Sequence, residues 1–168
     1  MKNLILINGT MGVGKSTTGK ALMKLLPNCV FLDGDWCWYS VPMICNEETY
    51  KLADQNISYC INNFLSCESY ENIVFCAVMF KESNITSILS KLTNTNYNLF
   101  KFSLMCSESA LAKRLEKDTD GSFRGDNIVE RALRRLPDFL EMDTTKIDVS
   151  DITPEQAANK MCDYINKV

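Results

Sequence analysis

The chain has 168 residues, 46% of them hydrophobic and 23% charged, the balance of a soluble globular protein, and we expect one domain over residues 1–168. The formal net charge of −3 disfavours a general nucleic-acid or membrane-surface binder. The first residues show no signal-peptide pattern and no window is apolar enough to span a bilayer, so we expect a cytoplasmic protein.

The first predicted elements are a strand, a glycine-rich loop and a helix. Residues 4–7 form a short apolar run that is typical of a buried parallel strand. Residues 17–26 carry apolar side chains at helical spacing and stop before Pro27. Between them, residues 9–16 read GTMGVGKS, which matches the G-x-x-x-x-G-K-S pattern of a Walker A motif, or P-loop.

The residue types of this loop suit nucleotide phosphates. Glycines allow positive φ angles and let backbone N–H groups approach phosphate oxygens, and the following helix adds its positive N-terminal dipole. We expect Lys15 to reach the β- and γ-phosphates and the Ser16 hydroxyl to hold Mg²⁺. The predicted cofactors are therefore ATP and Mg²⁺. The predicted ATP-binding residues here are Gly9, Thr10, Met11, Gly12, Val13, Gly14, Lys15, Ser16 and Thr17.

Short strands and helices alternate along the rest of the chain. The further predicted strands cover residues 29–32, 73–80, 99–105 and, more weakly, 146–149. The further predicted helices cover residues 47–66, 85–92, 107–117 and 127–142 and a last helix from residue 154. This alternation predicts a parallel, doubly wound sheet, with the apolar run 73–80 as its central strand.

Capping residues mark several of the predicted helix starts. Asn46 and Ser107 are favourable N-caps. Residues 127–130 and 153–156 have the spacing of capping boxes, the second with Pro154 at the first helical position.

Ligands of parallel sheets bind at the carboxyl ends of the strands. This rule places three stretches at the same edge of the sheet, which we call the rim. They are the P-loop, Asp33-Gly34-Asp35, and residues 76–80. Aspartate and glycine also suit an ordinary turn, but the rim position favours a functional role. Residues 36–39, which include two tryptophans and a tyrosine, either bind a flat acceptor or cap the core between the sheet and the next helix.

Eight cysteines without a C-x-x-C pair, and the absence of histidine from the sequence, argue against a zinc site. Without a secretory signal we expect the thiols to be reduced. Because there is no histidine, any general base must be a carboxylate, a lysine or water.

Three places carry a family resemblance: the P-loop, residues 32–35 (LDGD), and residues 111–115 (LAKRL) before a lid-like loop. The chain resembles the small P-loop kinases of metabolites and nucleotides, which include shikimate and gluconate kinases, adenylylsulfate kinase and the chloramphenicol phosphotransferases. The resemblance implies a three-layer α/β fold, a P-loop NTPase fold with five parallel strands and helices on both faces. It also implies a short lid at about residues 119–127 that closes over ATP.

The resemblance also implies roles for individual residues. Asp33 would help to hold Mg²⁺ through water, and Asp35 would contact or deprotonate the acceptor hydroxyl. Arg114 would stack on adenine, and Arg124 on the lid would reach the transferring phosphate. The predicted catalytic residues are thus Lys15, Asp35 and Arg124, and residues 148–150 would border the adenine.

The chain also departs from the family pattern. The third strand runs into Cys76-Ala77-Val78-Met79, so the usual Walker B acid is missing there, and Asp118 stands where nucleotide kinases repeat an arginine. All five arginines lie between residues 114 and 135, which argues against a nucleoside monophosphate as acceptor. Arg131, Arg134 and Arg135 suit a solvated helix face, although Arg131 lies nearest the lid and could reach a phosphate.

These features predict an ATP-dependent phosphotransferase acting on a hydroxyl of a small, non-phosphorylated molecule that is uncharged or cationic. One alternative is a nucleotide or polynucleotide 5′-kinase, against which the acidic composition counts. The other is an ATP-binding regulatory protein on a kinase-like scaffold, which the missing acid favours. We expect ATP and an unidentified small-molecule acceptor as partners, with membranes and nucleic acids disfavoured.

Overall fold

The computed structural model describes residues 1–117 and 127–167. Within these residues one sheet has five parallel strands in the order β2-β3-β1-β4-β5. The strands are β1 (Lys2–Asn8), β2 (Cys29–Asp33), β3 (Asn72–Cys76), β4 (Tyr97–Met105) and β5 (Thr145–Asp148). The prediction of a five-stranded parallel sheet is confirmed, whereas the prediction that 73–80 forms its central strand is wrong, because β1 occupies the centre.

Six α-helices connect or follow these strands in the described residues. They are α1 (Lys15–Leu25), α2 (Glu47–Ser66), α3 (Glu82–Leu89), α4 (Glu108–Lys117), α5 (Ile128–Arg135) and α6 (Pro154–Ile165). Two short 3-10 turns, Gly34–Cys37 and Leu136–Phe139, follow β2 and α5. None of these helices is long and apolar enough to cross a membrane.

The apolar side chains of β1 alternate between two cores, one on each face of the sheet. Ile5 and Ile7 pack in a cluster with side chains of α1, α4, α5 and α6, whereas Leu4 and Leu6 pack with side chains of α2 and α3. All four are at most 1% exposed. A strand that is apolar on both faces suits this position, because helices cover both sides of the sheet. The predicted three-layer arrangement is therefore confirmed.

The third strand ends earlier than its apolar run. β3 stops at Cys76, and residues 77–80 leave the sheet although their sequence is still apolar. The side chain of Asn8 binds both the N–H and the carbonyl group of Met79 at 2.8 and 2.7 Å. Since that amide replaces a neighbouring strand as hydrogen-bond partner, the chain turns out of the sheet without leaving these groups unpaired.

The predicted helix over 127–142 is also too long. It ends at Arg135 and passes into the 3-10 turn, because Pro137 has no N–H group to continue an α-helix. Asn127 has a φ of 60° and its side chain makes no capping bond, so the capping box predicted there is wrong. The caps predicted at Asn46, Ser107 and Thr153 are confirmed.

Candidate active site

The P-loop joins the end of β1 to the start of α1, and two of its glycines are fixed by close neighbours. Gly9 has a φ of 142° and Gly12 a φ of 77°. A Cβ atom on Gly9 would lie 2.8 Å from the carbonyl oxygen of Leu104, and one on Gly12 would lie 2.3 Å from a side-chain carbon of Leu115. Both positions therefore require glycine for the backbone angle and for space.

Side chains also hold the loop in place. The Thr10 hydroxyl, which is fully buried, donates to the carbonyl oxygen of Ala132 in α5 at 2.9 Å. The ammonium group of Lys15 donates to the carbonyl oxygen of Thr10 at 2.8 Å. The loop that the sequence predicts to cradle phosphates is thus tied to α5, which begins after the predicted lid.

Ser16 and Asp33 form a pair of hard oxygen donors at the predicted metal position. The Ser16 hydroxyl donates to Oδ2 of Asp33 at 2.5 Å. Carboxylate and hydroxyl oxygens suit Mg²⁺, which takes few protein ligands and shares its coordination with substrate phosphates. No group of three or more acidic, cysteine or histidine side chains that could hold a metal occurs in the described part of the chain. The residues therefore fit a Mg²⁺ ion that is held jointly with a nucleotide.

Cys76 occupies the position at the end of β3 where the family pattern has an acid. It pairs with Asp33 in the register of β2 and β3, and its Sγ atom lies 3.8 Å from Oγ of Ser16. Burial, with a smaller effect from the charge of Asp33, raises the pKa of the Cys76 thiol to about 12. At neutral pH this group is therefore an uncharged thiol beside the Ser16–Asp33 pair.

One cavity of about 470 Å³ brings most of the predicted catalytic residues together. Its walls include Lys15, Ser16, Asp33 and Asp35, as expected for residues that follow neighbouring parallel strands. The side chains and loop residues that complete its lining are Met11, Gly12, Gly14, Thr17, Trp38, Met43, Cys45, Tyr50, Ala77, Val78, Phe80, Ile128, Arg131 and Arg135.

The aromatic residues after Asp35 separate into two groups. Trp38 lines the cavity and packs on Tyr50 of α2, with ring centroids 5.4 Å apart. Trp36 and Tyr39 do not line it and are 58% and 60% exposed. Trp36 instead meets the ring of Phe31 edge-on at 5.6 Å. Of the three aromatic side chains that the sequence placed near the acceptor, Trp38 is the one in the cavity wall.

Tyr50 was not predicted from the sequence to lie at the site, and Arg131 was favoured over Arg135 as the arginine that could reach a phosphate. Arg131 and Arg135 both line the cavity, one helical turn apart, and the guanidinium carbon of Arg135 lies 3.7 Å from the centre of the Phe80 ring. The spacing of the two arginines on one face of α5 was a usable signal. Tyr50 had none, because its position depends on how α2 packs on the 3-10 turn after β2. Burial raises the pKa of Tyr50, with Cys45 adding to the effect.

A second cavity of about 380 Å³ lies on the other side of the P-loop, beside Arg114. The guanidinium group of Arg114 donates to the carbonyl oxygen of Val13 at 3.1 Å and to those of Val149 and Ser150. Thr153, the N-cap of α6, also lines this cavity. Arg114 and residues 148–150 thus lie together, where the resemblance implies an adenine site.

Several predicted features fall outside the described residues. These are Arg124, Asp118 and the lid apart from Asn127. Arg124 and the lid therefore remain predictions.

The family model described as an AAA domain matches residues 5–134, and the chain belongs to this family. No curated protein sequence matches the chain.

Solved kinase structures share its fold over almost its whole length. A sugar kinase from Janibacter sp. has a TM-score of 0.75 at 13% identity and aligns over 99% of this chain and 95% of its own. A gluconokinase from Sinorhizobium meliloti has a TM-score of 0.63 at 20% identity, with coverages of 99% and 96%. A shikimate kinase from Acinetobacter baumannii, in complex with shikimate, has a TM-score of 0.69 at 18% identity, with coverages of 99% and 94%. These likenesses confirm the small P-loop kinase fold.

Proposed function

We propose that the chain is a single P-loop kinase-like domain that transfers the γ-phosphoryl group of ATP to a hydroxyl group of a small, non-phosphorylated molecule. The observation that carries this proposal is the cavity in which Lys15, the Ser16–Asp33 pair and Asp35 meet the Trp38–Tyr50 wall. Phosphoryl transfer depends mostly on positioning and on stabilising charge, and these residues offer both.

Each residue has a defined part in this proposal. The backbone N–H groups of the P-loop and the Lys15 ammonium group bind and orient the phosphates of ATP. Ser16 and Asp33 would hold Mg²⁺, which neutralises charge on the phosphate oxygens when bound. Asp35, which lines the cavity, would accept the proton of the acceptor hydroxyl, as the family resemblance implies. Arg124 would approach the transferring phosphate with the lid.

The aromatic and arginine side chains that line the cavity indicate which acceptors it can bind. Trp38 and Tyr50 offer apolar ring surface beside Asp35, which suits a flat molecule. Arg131 and Arg135 line the same cavity, so a cationic acceptor would meet like charge. We therefore propose an uncharged, flat acceptor and set aside the cationic one.

The test is transfer of label from γ-labelled ATP, with Mg²⁺, to a panel of small metabolites, nucleosides and antibiotics. We expect a labelled small molecule with the wild-type protein and none with Lys15→Ala, because the phosphates lose their principal side-chain cation. Lys20→Ala is the matched control, since Lys20 lies on the same helix over the ring of Trp36 and does not line either cavity. Equal labelling by Lys15→Ala and wild type would contradict the proposal.

A second candidate, an ATP-binding regulatory protein, is favoured by one observation. The uncharged thiol of Cys76 stands where the related pattern has a metal-holding acid. The same assay separates the two functions, because a regulatory protein would bind ATP tightly and label no acceptor. Transfer of label to the 5′ ends of oligonucleotides, included in the panel, would instead support the polynucleotide kinase alternative.

A further inference from the structure

We infer that Asn8 and Thr10 are positioning residues whose side chains hold one wall of the reaction cavity against the P-loop. We call this wall the arginine wall and define it as residues 77–80 together with α5. The expected effect on kcat rests on the proposed function. The expected effect on the position of the arginine wall can be tested without any enzymatic activity.

Asn8 connects the P-loop to residues 77–80. Its side-chain oxygen accepts from the N–H groups of Gly9 and Met79, both at 2.8 Å, and its amide nitrogen donates to the carbonyl oxygen of Met79 at 2.7 Å. The amide nitrogen also lies 3.2 Å from Sδ of Met142. One buried amide thus binds the first glycine of the P-loop and the loop before Phe80 at the same time.

Thr10 connects the P-loop to α5. Its hydroxyl donates to the carbonyl oxygen of Ala132, which lies between the two cavity arginines along the helix. Thr10 and Ala132 are both fully buried. A buried hydroxyl without a partner is costly, so the bond selects one position of α5 relative to the loop.

The two connections converge on one contact. Asn8 sets the loop that carries Phe80, and Thr10 sets the helix that carries Arg135, whose guanidinium group stacks on the Phe80 ring at 3.7 Å. Ala132 also packs in the core, so the Thr10 bond acts together with that packing to set the position of α5. Loss of either side-chain bond is therefore expected to shift Arg131 and Arg135 relative to Lys15.

A second buried asparagine provides a matched control. Asn72, at the start of β3, is 3% exposed and donates to the carbonyl oxygen of Pro27 at 2.7 Å, and it accepts from Asn3 at 2.8 Å. Asn8 and Asn72 therefore resemble each other in burial and bonding. They differ in place, since Asn72 lies at the opposite end of the sheet from both cavities.

The first experiment measures amide hydrogen exchange in the free full-length protein and needs no acceptor. We expect Asn8→Ala to speed exchange in residues 77–80 by about tenfold, and Thr10→Val to do the same in α5, because the protecting contacts are lost. Thr10→Ser, which keeps the hydroxyl, should lie closer to wild type than Thr10→Val. Exchange in both segments that is no faster than in Asn72→Ala would overturn the inference.

The second experiment measures hydrolysis of γ-labelled ATP, with water as the acceptor, together with the affinity for Mg²⁺–ATP. We expect Asn8→Ala and Thr10→Val to lower kcat by about tenfold, a larger factor than any loss of affinity for Mg²⁺–ATP, since a shifted arginine acts mainly in the transition state. An equal loss in Asn72→Ala would overturn this role and indicate general destabilisation.

A fallback variant and a readout that needs no activity distinguish failure of this inference from failure of the proposed function. If Asn8→Ala does not fold, Asn8→Asp keeps the acceptor for the Met79 N–H group and removes the donor to its carbonyl oxygen. If wild type neither hydrolyses ATP nor transfers phosphate, the proposed function fails, and the exchange result still decides whether Asn8 and Thr10 hold the arginine wall.

Discussion

Asp33 uses its two carboxylate oxygens for different neighbours. Oδ2 accepts from the Ser16 hydroxyl at 2.5 Å, and Oδ1 accepts from the backbone N–H group of Asp35 at 3.2 Å. The second bond caps the 3-10 turn Gly34–Cys37 and fixes the backbone of Asp35 at the cavity. The Asp33 carboxylate thus binds Ser16 and also holds the backbone of Asp35, the residue proposed to contact the acceptor.

Asp35 provides a direct test of the proposed proton transfer. In Asp35→Asn we expect turnover to fall by about a hundredfold or more, because an amide cannot accept the proton of the acceptor hydroxyl. The affinity for Mg²⁺–ATP should change by less than about twofold, since the P-loop is untouched. Single-turnover transfer from γ-labelled ATP and a separate binding titration measure the two quantities.

The control for charge alone is Glu68→Gln, at an exposed position that lines neither cavity. Glu68→Gln should leave turnover and the affinity for Mg²⁺–ATP near their wild-type values. Unchanged turnover in Asp35→Asn would remove Asp35 from the catalytic role.

The local pattern of β1, the P-loop and α1 made the centre of the fold predictable from the sequence. A short apolar strand, a glycine loop and a helix are adjacent in the chain, so their arrangement needs little information from distant residues. The lack of an acid after the third strand was equally evident from the sequence. In the structure Cys76 lies beside Ser16 at this position.

Features that depend on distant partners were not predictable in the same way. β3 ends at Cys76 because Asn8, far away in sequence, binds the backbone of Met79. The cavity receives Tyr50 because of the way α2 packs on the 3-10 turn after β2, where Asn56 donates to the carbonyl oxygen of Cys37 at 2.8 Å. No local pattern encodes either contact.

Two helix caps of similar construction differ in their relation to the site. Thr153 caps α6 and lines the cavity beside Arg114, whereas Asn46 caps α2 and lines neither cavity. We expect Thr153→Ala and Asn46→Ala each to lower the free energy of unfolding by about 1 kcal/mol, because each removes one capping bond. Only Thr153→Ala should also weaken Mg²⁺–ATP binding, by several-fold.

Urea unfolding and nucleotide titration of the two variants make this comparison. Equal nucleotide affinities in Thr153→Ala and Asn46→Ala would show that the second cavity does not hold the base.

Buried thiols are expected to make the free energy of unfolding of the protein depend on pH in the alkaline range. The pKa of Cys76 is raised from 9.0 to about 12 by burial, so between these values the folded protein keeps a proton that the unfolded chain releases. The contribution of Cys76 to the free energy of unfolding is therefore fully present below pH 9 and is lost as pH rises toward 12, at about 1.4 kcal/mol per pH unit between these values. Urea unfolding across this range, with a thiol reductant present, measures the slope.

Serine does not titrate between pH 9 and 12. Cys76→Ser should therefore reduce the slope of the free energy of unfolding against pH by the contribution of one thiol. Cys76→Ala also lacks the thiol and should flatten the slope by the same amount. A slope that is the same in Cys76→Ser and wild type would argue that the Cys76 thiol ionises equally in both states.

The two cavities share P-loop residues but differ in the other parts of the chain that line them. The P-loop, Ser16 and Asp33 lie within the first 33 residues, whereas the cavity beside Arg114 also needs residues 149–154 and the start of α6. During synthesis the P-loop is therefore made long before the C-terminal wall of the cavity beside Arg114 exists. Because the family resemblance places the base in that cavity, a nascent chain that stops before α6 is expected to bind nucleotide poorly.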